Sequence, residues 1–227
     1  TETRQQQRHH HHHYHQVNNN INIINNNNNN INRNLNNNSK IRVYLKNEGA
    51  ISIAKELKNP NVWRIEIFDL HDQKIQYEGA RALADALKTK RHVRSIHLGR
   101  NQIWNDGAIV FAHSLKDMRS LRRLDLANNG IQDDGMIALA EALSEDNCCL
   151  KSLSLSQNNK IGTRGITAIA KALEVNKSLH DFDFSSNQIS DEGAIAMAWV
   201  LKRNNTLESL GLGHNNIGPL GAKAIAH

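Results

Sequence analysis

The sequence predicts an α/β fold in which short parallel strands form an inner layer and helices form an outer one. Three observations predict it. Glycine recurs at intervals of 28 or 30 residues, at Gly49, Gly79, Gly107, Gly135, Gly165, Gly193 and Gly221. Apolar residues recur at fixed distances before each glycine, and their spacing changes after it. Self-similarity with a period of about 20 to 50 residues is typical of a solenoid of repeated strand and helix units.

Each repeat is predicted to begin with a short strand. Counted from the first apolar residue of the repeat, apolar residues stand at offsets 0, 3, 5 and 10 and the glycine at offset 14. Offsets 3 and 5 alternate with polar residues, which is the pattern of a strand with one buried face. The repeats begin at Ile65, Val93, Leu121, Leu150, Leu179 and Leu207, and the fourth carries one extra residue around Asn158–Lys160.

A helix of about three turns is predicted after each glycine. In the third repeat, Leu139–Leu143 places apolar residues three and four positions apart, so that one helix face is apolar. Small Gly and Ala residues at the helix start allow it to approach the strand layer closely. The residue types that favour helix N-caps indicate Ser190 or Asp191 and Asp133 or Asp134 for this role.

A column of amides is predicted where each strand ends. Offset 8 carries an amide side chain in every repeat. An amide both donates and accepts, so a buried column of them can satisfy the backbone where the chain turns away from the sheet. This structural ladder comprises Gln73, Asn101, Asn129, Asn158 (or Asn159 in the shifted repeat), Asn187 and Asn215.

The two layers must have different lengths. Neighbouring strands lie about 4.8 Å apart, whereas packed helices need about 10 Å. A stack of identical units therefore curves, with the strands on the concave side. We predict a horseshoe over residues 40–227.

Residues 1–39 differ from the repeats in composition. They contain Gln5–Gln7, His9–His13 and the segment Asn18–Asn38, in which 15 of 21 residues are Asn. So few core-forming side chains predict a disordered, low-complexity tail. The histidine run has no preset geometry, and we predict no metal site there.

The repeat pattern resembles a known family. "LRRLDLANNGIQDDGMIALAEAL" at Leu121–Leu143 resembles the leucine-rich repeats of the ribonuclease-inhibitor type, most closely those of NOD-like receptors. The resemblance covers about residues 47–227 and implies a horseshoe that binds proteins. The first unit keeps only its helix, at Gly49–Leu57, and the last ends within a helix at His227. Because terminal repeats normally cap such stacks, we expect a fragment of a longer array.

The concave face is the predicted partner-binding site. Its charged residues, at offsets 2, 4, 6 and 7, are five aspartates and two arginines, a net charge of −3. We therefore expect a protein partner with a basic patch. The candidate contacts are Asp69, Asp72, His97, Arg100, Arg123, Asp125, Ser154, Asp181 and Asp183.

Two further surface features are candidate contacts. Basic residues recur just before the strands, at Arg91, Arg94, Arg119, Arg122, Lys151 and Lys177, and would form a ridge on one rim. Trp199 stands at a solvent-facing helix position, on the convex side, and Trp104 follows the turn at a loop edge. Either tryptophan can contact a partner or a neighbouring segment.

Composition excludes several functional classes. The net charge of +6 is too small to indicate a protein that binds nucleic acid. The longest uncharged apolar stretch, Gly193–Leu201, is too short to span a membrane. Two adjacent cysteines, Cys148 and Cys149, cannot build a disulfide framework and suit a reducing, cytoplasmic location.

No catalytic set, cofactor motif or small-molecule site is evident, so a non-enzymatic recognition or scaffold module is predicted. Two alternatives stay open through the same resemblance. One is a GTPase-activating protein of the Ran type, for which Arg100 beside Asn101 is the candidate position. The other is the substrate-recognition arm of a ubiquitin ligase, which requires an F-box-like segment upstream.

Overall fold

The computed structural model describes residues 45–58, 65–145 and 148–226, in which six strands alternate with helices. The tail at 1–39 and the start of the first unit lie outside the described residues. The strands are β1 (Ile67–Asp69), β2 (Ser95–His97), β3 (Arg123–Asp125), β4 (Ser152–Ser154), β5 (Asp181–Asp183) and β6 (Ser209–Gly211). The helices are α1 (Lys46–Leu57), α2 (Tyr77–Leu87), α3 (Trp104–Leu115), α4 (Asp133–Ser144), α5 (Thr163–Val175), α6 (Asp191–Leu201) and α7 (Pro219–Ile225).

The strands form one parallel sheet in the order β1-β2-β3-β4-β5-β6. Neighbouring strands pair in register at equal offsets, for example Leu124 with Leu153 and Asp125 with Ser154. Each helix packs against the helices of the adjacent repeats. The predicted α/β solenoid of parallel strands and outer helices is therefore confirmed.

The core is one thin layer between sheet and helices. Its central column runs through Phe68, Ile96, Leu124, Leu153 and Phe182, each at most 3% exposed. Burial falls off at the end of the array, where Leu210 of β6 is only partly buried. Both β1 and β6 are edge strands, but α1 packs against α2 beyond β1 and Phe68 stays buried, whereas β6 belongs to the last described repeat.

The repeated glycine is required by close packing. A Cβ atom on Gly135 would lie 2.8 Å from Ile131 Cγ2 and 3.1 Å from Ala108 Cβ in the preceding helix. A Cβ on Gly221 would lie 2.8 Å from Ala194 Cβ in the same way. Any side chain here would separate two helices, which explains the regular interval of glycine in the sequence.

The helix N-termini differ from the sequence prediction. Asp133 is the first residue of α4 and its N-cap is Gln132, so neither Asp133 nor Asp134 caps its own helix. Ser190 does occupy the N-cap position of α6, but its side chain makes no capping bond. The Asp133 carboxylate instead accepts hydrogen bonds from Gly162 N (2.8 Å) and Gly165 N (2.9 Å), at the start of the next helix.

Candidate partner-binding surface

Two rows of side chains lie on the face of the sheet away from the core, and all of them except the buried Ser95 are at least partly exposed. The first row follows the first residue of each strand: Ile67, Ser95, Arg123, Ser152, Asp181 and Ser209. The second follows the third residue: Asp69, His97, Asp125, Ser154, Asp183 and Gly211. We call these residues the strand face. The rows bring together seven of the predicted contacts, all except Asp72 and Arg100.

Three aspartates of the strand face are held by the backbone. Asp69 Oδ1 accepts a hydrogen bond from His71 N (3.0 Å), Asp125 Oδ1 from Ala127 N (2.9 Å), and Asp183 Oδ1 from Ser185 N (3.0 Å). These are bonds to the residue two positions on, the geometry of an Asx turn. Each carboxylate is therefore fixed in orientation where the strand ends, and keeps its charge on the strand face.

Asp72 and Arg100 lie in the loop that follows the strands, where the backbone is left-handed. Every repeat has a positive φ at this offset, between 52° and 59°: Asp72, Arg100, Asn128, Gln157, Ser186 and His214. Backbone bonds to the next repeat hold the turn, as in Arg100 N to Ala127 O (2.8 Å). Because all six residues share this conformation, they form a third row along the edge of the strand face.

Small residues open the second half of the strand face. From β4 onward, serine and glycine dominate the rows and the adjoining loops, at Ser152, Ser154, Ser156, Ser185, Ser209 and Gly211. The first half carries larger side chains, and Ile67 is 59% exposed. Sequence analysis did not single out Ile67, although its offset places it in the first row.

The predicted amide column makes the bonds that join one repeat to the next. Asn158, 2% exposed, shows the pattern: its Oδ1 accepts from Asn129 N (2.9 Å) and Ile131 N (3.0 Å). Its Nδ2 donates to Leu126 O (3.2 Å) and Leu155 O (2.9 Å). Asn101 and Asn215 bond in the same way, while Gln73 accepts from Leu45 N (3.3 Å).

The ladder has one defect, at Asn187. Its Nδ2 donates to Leu155 O (3.0 Å) and Phe184 O (3.2 Å), but its Oδ1 is buried without a hydrogen-bond partner among the described residues. The preceding repeat is the one that carries the extra residue. In the other repeats the amides that bond to this oxygen come from the preceding repeat, and here that repeat carries the extra residue around Asn158–Lys160.

A second pair of buried asparagines lies at the opposite end of the strands. Asn176 Nδ2 donates to Leu143 O (2.7 Å), and Asn204 Nδ2 donates to Leu173 O (2.7 Å). Leu143 is near the C-terminus of α4 and Leu173 near that of α5, so each asparagine bonds to the helix of the repeat before its own. Sequence reasoning missed these residues, although asparagine stands three residues before the first apolar residue in three consecutive repeats, at 147, 176 and 204.

The basic ridge lies on the rim where the strands begin. Arg94, Arg122, Lys151 and His180 occupy equivalent positions one residue before each strand, linked by backbone bonds of 2.8 Å between neighbours. Arg91, Arg119 and Lys177 lie three residues earlier and are exposed. His180 stands at the same offset as Arg94, Arg122 and Lys151 but was not among the predicted ridge residues.

Trp104 and Trp199, the two tryptophans predicted as contacts, are each 50% exposed. Trp199 packs against Arg203, whose guanidinium carbon is 3.9 Å from the ring centroid. Trp104 begins α3 with a φ of 57° and covers Gly130, at which any Cβ would strike the indole. Trp104 is therefore the first residue of α3 and lies against the loop that contains Gly130.

The helical layer carries one charged cluster, around Asp85, beside a shallow groove. Hydrogen bonds from Lys88 (2.5 Å) and Lys58 (3.1 Å) lower the pKa of the exposed Asp85. Asp85 and Lys88 border a shallow groove of about 430 Å³ in the helical layer, lined mainly by charged and polar residues. Among the described residues no cluster of His, Cys, Asp or Glu could hold a metal ion, and no helix is long and apolar enough to cross a membrane.

The geometry defines a class of protein: a solenoid whose parallel strands present one continuous surface. Five segments match the leucine-rich repeat family, at residues 89–112, 117–140, 146–170, 175–198 and 203–226. They span more than half of the chain, which therefore belongs to the leucine-rich repeat family.

Comparison with other proteins adds to the assignment of fold. No curated protein matches the sequence. Among solved structures, the actin-binding site 2 of leiomodin-1 has 22% identity and a TM-score of 0.56, with 68% of this chain and 87% of that chain covered. The tropomodulin C-terminal domain of Caenorhabditis elegans has 14% identity and a TM-score of 0.45, with 79% and 88% covered. The likeness to leiomodin-1 is one of fold.

Proposed function

We propose that this chain is a non-enzymatic recognition or scaffold module that binds a protein through the strand face, as the repeat arrays of NOD-like receptors do. The observation that carries the proposal is the set of backbone-held carboxylates on the strand face. Asp69, Asp125 and Asp183 present negative charge in one row, and small side chains leave the second half of that face open. A partner with a basic patch, or an extended basic peptide, complements this surface.

Fixed carboxylates favour binding for an energetic reason. Ordering a flexible side chain at an interface costs about 0.5–1.5 kcal/mol. The bond from Ala127 N to Asp125 Oδ1, and that from Ser185 N to Asp183 Oδ1, hold these side chains in the free protein. Much of that ordering has therefore taken place before a partner arrives. Two adjacent cysteines, Cys148 and Cys149, cannot build a disulfide framework and suit a reducing compartment, and we propose a cytoplasmic location.

The test uses a fluorescent arginine-rich peptide as the probe and measures its affinity for the full chain by anisotropy. The variant pair Asp125→Asn and Asp183→Asn removes two charges but keeps the side-chain oxygen that accepts the backbone bond. The matched control, Asp134→Asn with Glu141→Gln, removes the same charge from exposed positions on α4. We expect the strand-face pair to weaken binding at least fivefold and the control pair by less than twofold. Equal losses in both pairs would contradict the proposal.

A GTPase-activating role of the Ran type is the second candidate, and one observation favours it. Arg100 is exposed at the edge of the strand face, and its left-handed backbone is held by the bond to Ala127 O. Among the described residues no carboxylate lies within 4 Å of its guanidinium. Such an arginine can reach a phosphate on a docked GTPase. GTP hydrolysis by a panel of small GTPases tests this. No acceleration by the chain rules out the GTPase-activating role, and equal acceleration by Arg100→Ala rules out Arg100 as the arginine that supplies it.

One further function and one candidate partner can be tested on the strand face. The substrate arm of a ubiquitin ligase would use the strand face, and the coding sequence upstream of Thr1 would then encode an F-box-like segment. Actin is a rational probe because a solved structure with this fold is named for an actin-binding site. In a co-sedimentation assay, actin binding that is lost with Asp125→Asn and Asp183→Asn would identify the partner.

A further inference from the structure

The rim of the sheet carries a second charged surface, distinct from the strand face. We call Arg94, Arg122, Lys151 and His180 the rim column. Consecutive members are joined by backbone hydrogen bonds of 2.8 Å, from Arg122 N to Arg94 O, Lys151 N to Arg122 O and His180 N to Lys151 O. They are thus neighbours on adjacent strands, about 4.8 Å apart. Arg91, Arg119 and Lys177 flank the column.

No ion pair involves the rim column among the residues that the structure describes. The ion pairs found among the described residues involve Asp85 and Asp134, both in the helical layer. None involves a member of the rim column or its flanking arginines. Like charges directly opposite one another in a sheet are destabilising. An anionic ligand would relieve this repulsion as well as form new bonds.

Local bonds hold part of the rim column in place. Arg122 Nη1 donates to Arg119 O (2.9 Å) and Leu121 O (3.1 Å), which orients its guanidinium and leaves its other donors free for a ligand. His180 Nδ1 donates to Ser178 O (2.7 Å), because a carbonyl can only accept.

The rim column also has defined ends. The equivalent positions before β1 and before β6 are Glu66 and Glu208, whose backbones continue the same series of bonds. The rim column therefore covers four neighbouring positions, with a glutamate at each end. At about 4.8 Å per strand these positions span about 14 Å, a length that accommodates between two and three turns of an α-helix.

We propose that the rim column binds an acidic α-helix of a partner protein, lying across the strands. Carboxylates three or four residues apart on a helix are about 4.5–6 Å apart along its axis, which matches the spacing of the column. Side chains on one face of an extended chain are about 6.6–6.8 Å apart and match it less well. Single-stranded nucleic acid would need stacking aromatics, and residues 91–94, 119–122, 148–151 and 177–180 contain no Phe, Tyr or Trp.

The probe is a synthetic helical peptide of about four turns with glutamates on one face, at spacings of three and four residues. Its affinity for the full chain is compared with the affinities of three other probes. These are a scrambled peptide that has glutamates on all faces, a 12-nucleotide oligo(dT), and vesicles containing phosphatidylserine. We expect the one-faced helix to bind at least fivefold more tightly than the scrambled peptide. Equal binding of the two peptides, or tighter binding of oligo(dT) or of the vesicles, overturns the proposal.

Variants locate the site. Arg94→Gln with Lys151→Gln removes two charges from the column, and Lys171→Gln with Lys202→Gln removes two exposed charges from the helical layer. The column pair should weaken binding of the helical peptide at least tenfold, and the control pair less than twofold. In the absence of peptide, the column pair should unfold at the same urea concentration as the unmodified chain or at a higher one. Equal weakening by both pairs overturns the assignment of the site. Lost binding accompanied by a lower unfolding midpoint overturns it as well, because the column would then be a structural element.

Discussion

Asp133 Oδ1 accepts a hydrogen bond from Gly162 N at 2.8 Å, so a carboxylate of one repeat caps the helix of the next. The arrangement recurs. Asn47, Asn105 and Asp191 stand at the same position, two residues before the repeated glycine, and each accepts from two amides of the following repeat. Inter-repeat caps therefore join the helices as the amide column joins the strands.

Replacing Asp133 by Ala should destabilise the protein by about 1–2 kcal/mol, the usual effect of losing a helix cap. The change leaves the amides of Gly162 and Gly165 without their acceptor. Asp133→Asn keeps a side-chain oxygen and should stay within about 0.5 kcal/mol of the unmodified chain. Urea unfolding measures both.

Asp134→Ala provides the matched control for this change. Asp134 is adjacent but exposed, and its ion pair with Arg164 (3.2 Å) is on the surface, where such a pair contributes at most about 1 kcal/mol. If Asp134→Ala were as damaging as Asp133→Ala, the inter-repeat cap would not be the cause.

The periodic features were the ones that sequence could predict. Strand, helix, glycine and amide positions recur in nearly every repeat. The physical role of each can be inferred from the residue type and its offset within one repeat. The inter-repeat caps were misassigned because a capping residue is expected to serve its own helix. Asp133 is next to the start of α4 in sequence, and only the stacking of repeats directs its carboxylate to α5.

Asn158→Ala should be among the most damaging substitutions in the amide column. It removes the acceptor of two buried amides and the donor to two carbonyls, and we expect a loss of roughly 2–4 kcal/mol. Asn187→Ala should cost roughly 1–2 kcal/mol less, because Asn187 Oδ1 has no partner to lose. Urea unfolding of the two variants compares them directly, and a larger loss for Asn187→Ala would contradict this account of the defect.

The cysteines should differ in reactivity. Burial raises the pKa of the Cys148 thiol, which disfavours the reactive thiolate, and Cys148 is buried whereas Cys149 is partly exposed. Iodoacetamide at neutral pH should therefore label Cys149 first, by a factor of at least ten in initial rate, as measured by peptide mass spectrometry. In 8 M urea, taken as the unfolded control, the preference should disappear. Preferential labelling of Cys148 in the folded chain would contradict the assigned burial.

The candidate site was predictable in its position but not in its detail. Alternation within the strands placed Asp125 and Asp183 on the concave face, because odd and even positions of a strand point in opposite directions. Their bonds to Ala127 and Ser185 depend on the turn that follows each strand. The rim column was also accessible from the repeat offsets, since His180 follows Leu179 as Lys151 follows Leu150. Only the backbone bonds that join its members needed the structure.

Gly135 and Gly213 offer a matched pair for testing the close approach of the repeats. Glycine within a helix is less favourable than alanine by about 1 kcal/mol, so Gly135→Ala in α4 would stabilise the chain if space allowed. A Cβ there would be 2.8 Å from Ile131 Cγ2, 2.9 Å from Asn105 Oδ1 and 3.1 Å from Ala108 Cβ. Relieving these contacts requires two repeats to separate, and overpacking of this kind costs about 1–3 kcal/mol.

We therefore expect Gly135→Ala to lower the free energy of unfolding despite the better helix propensity of alanine. At Gly213 a Cβ would meet nothing within 4 Å, and Gly213→Ala should change the free energy by less than about 0.5 kcal/mol or raise it slightly. Urea unfolding of both variants distinguishes steric packing from propensity. A Gly135→Ala variant as stable as the unmodified chain would mean that the glycine interval is not set by contact between neighbouring helices, because propensity alone predicts the opposite sign.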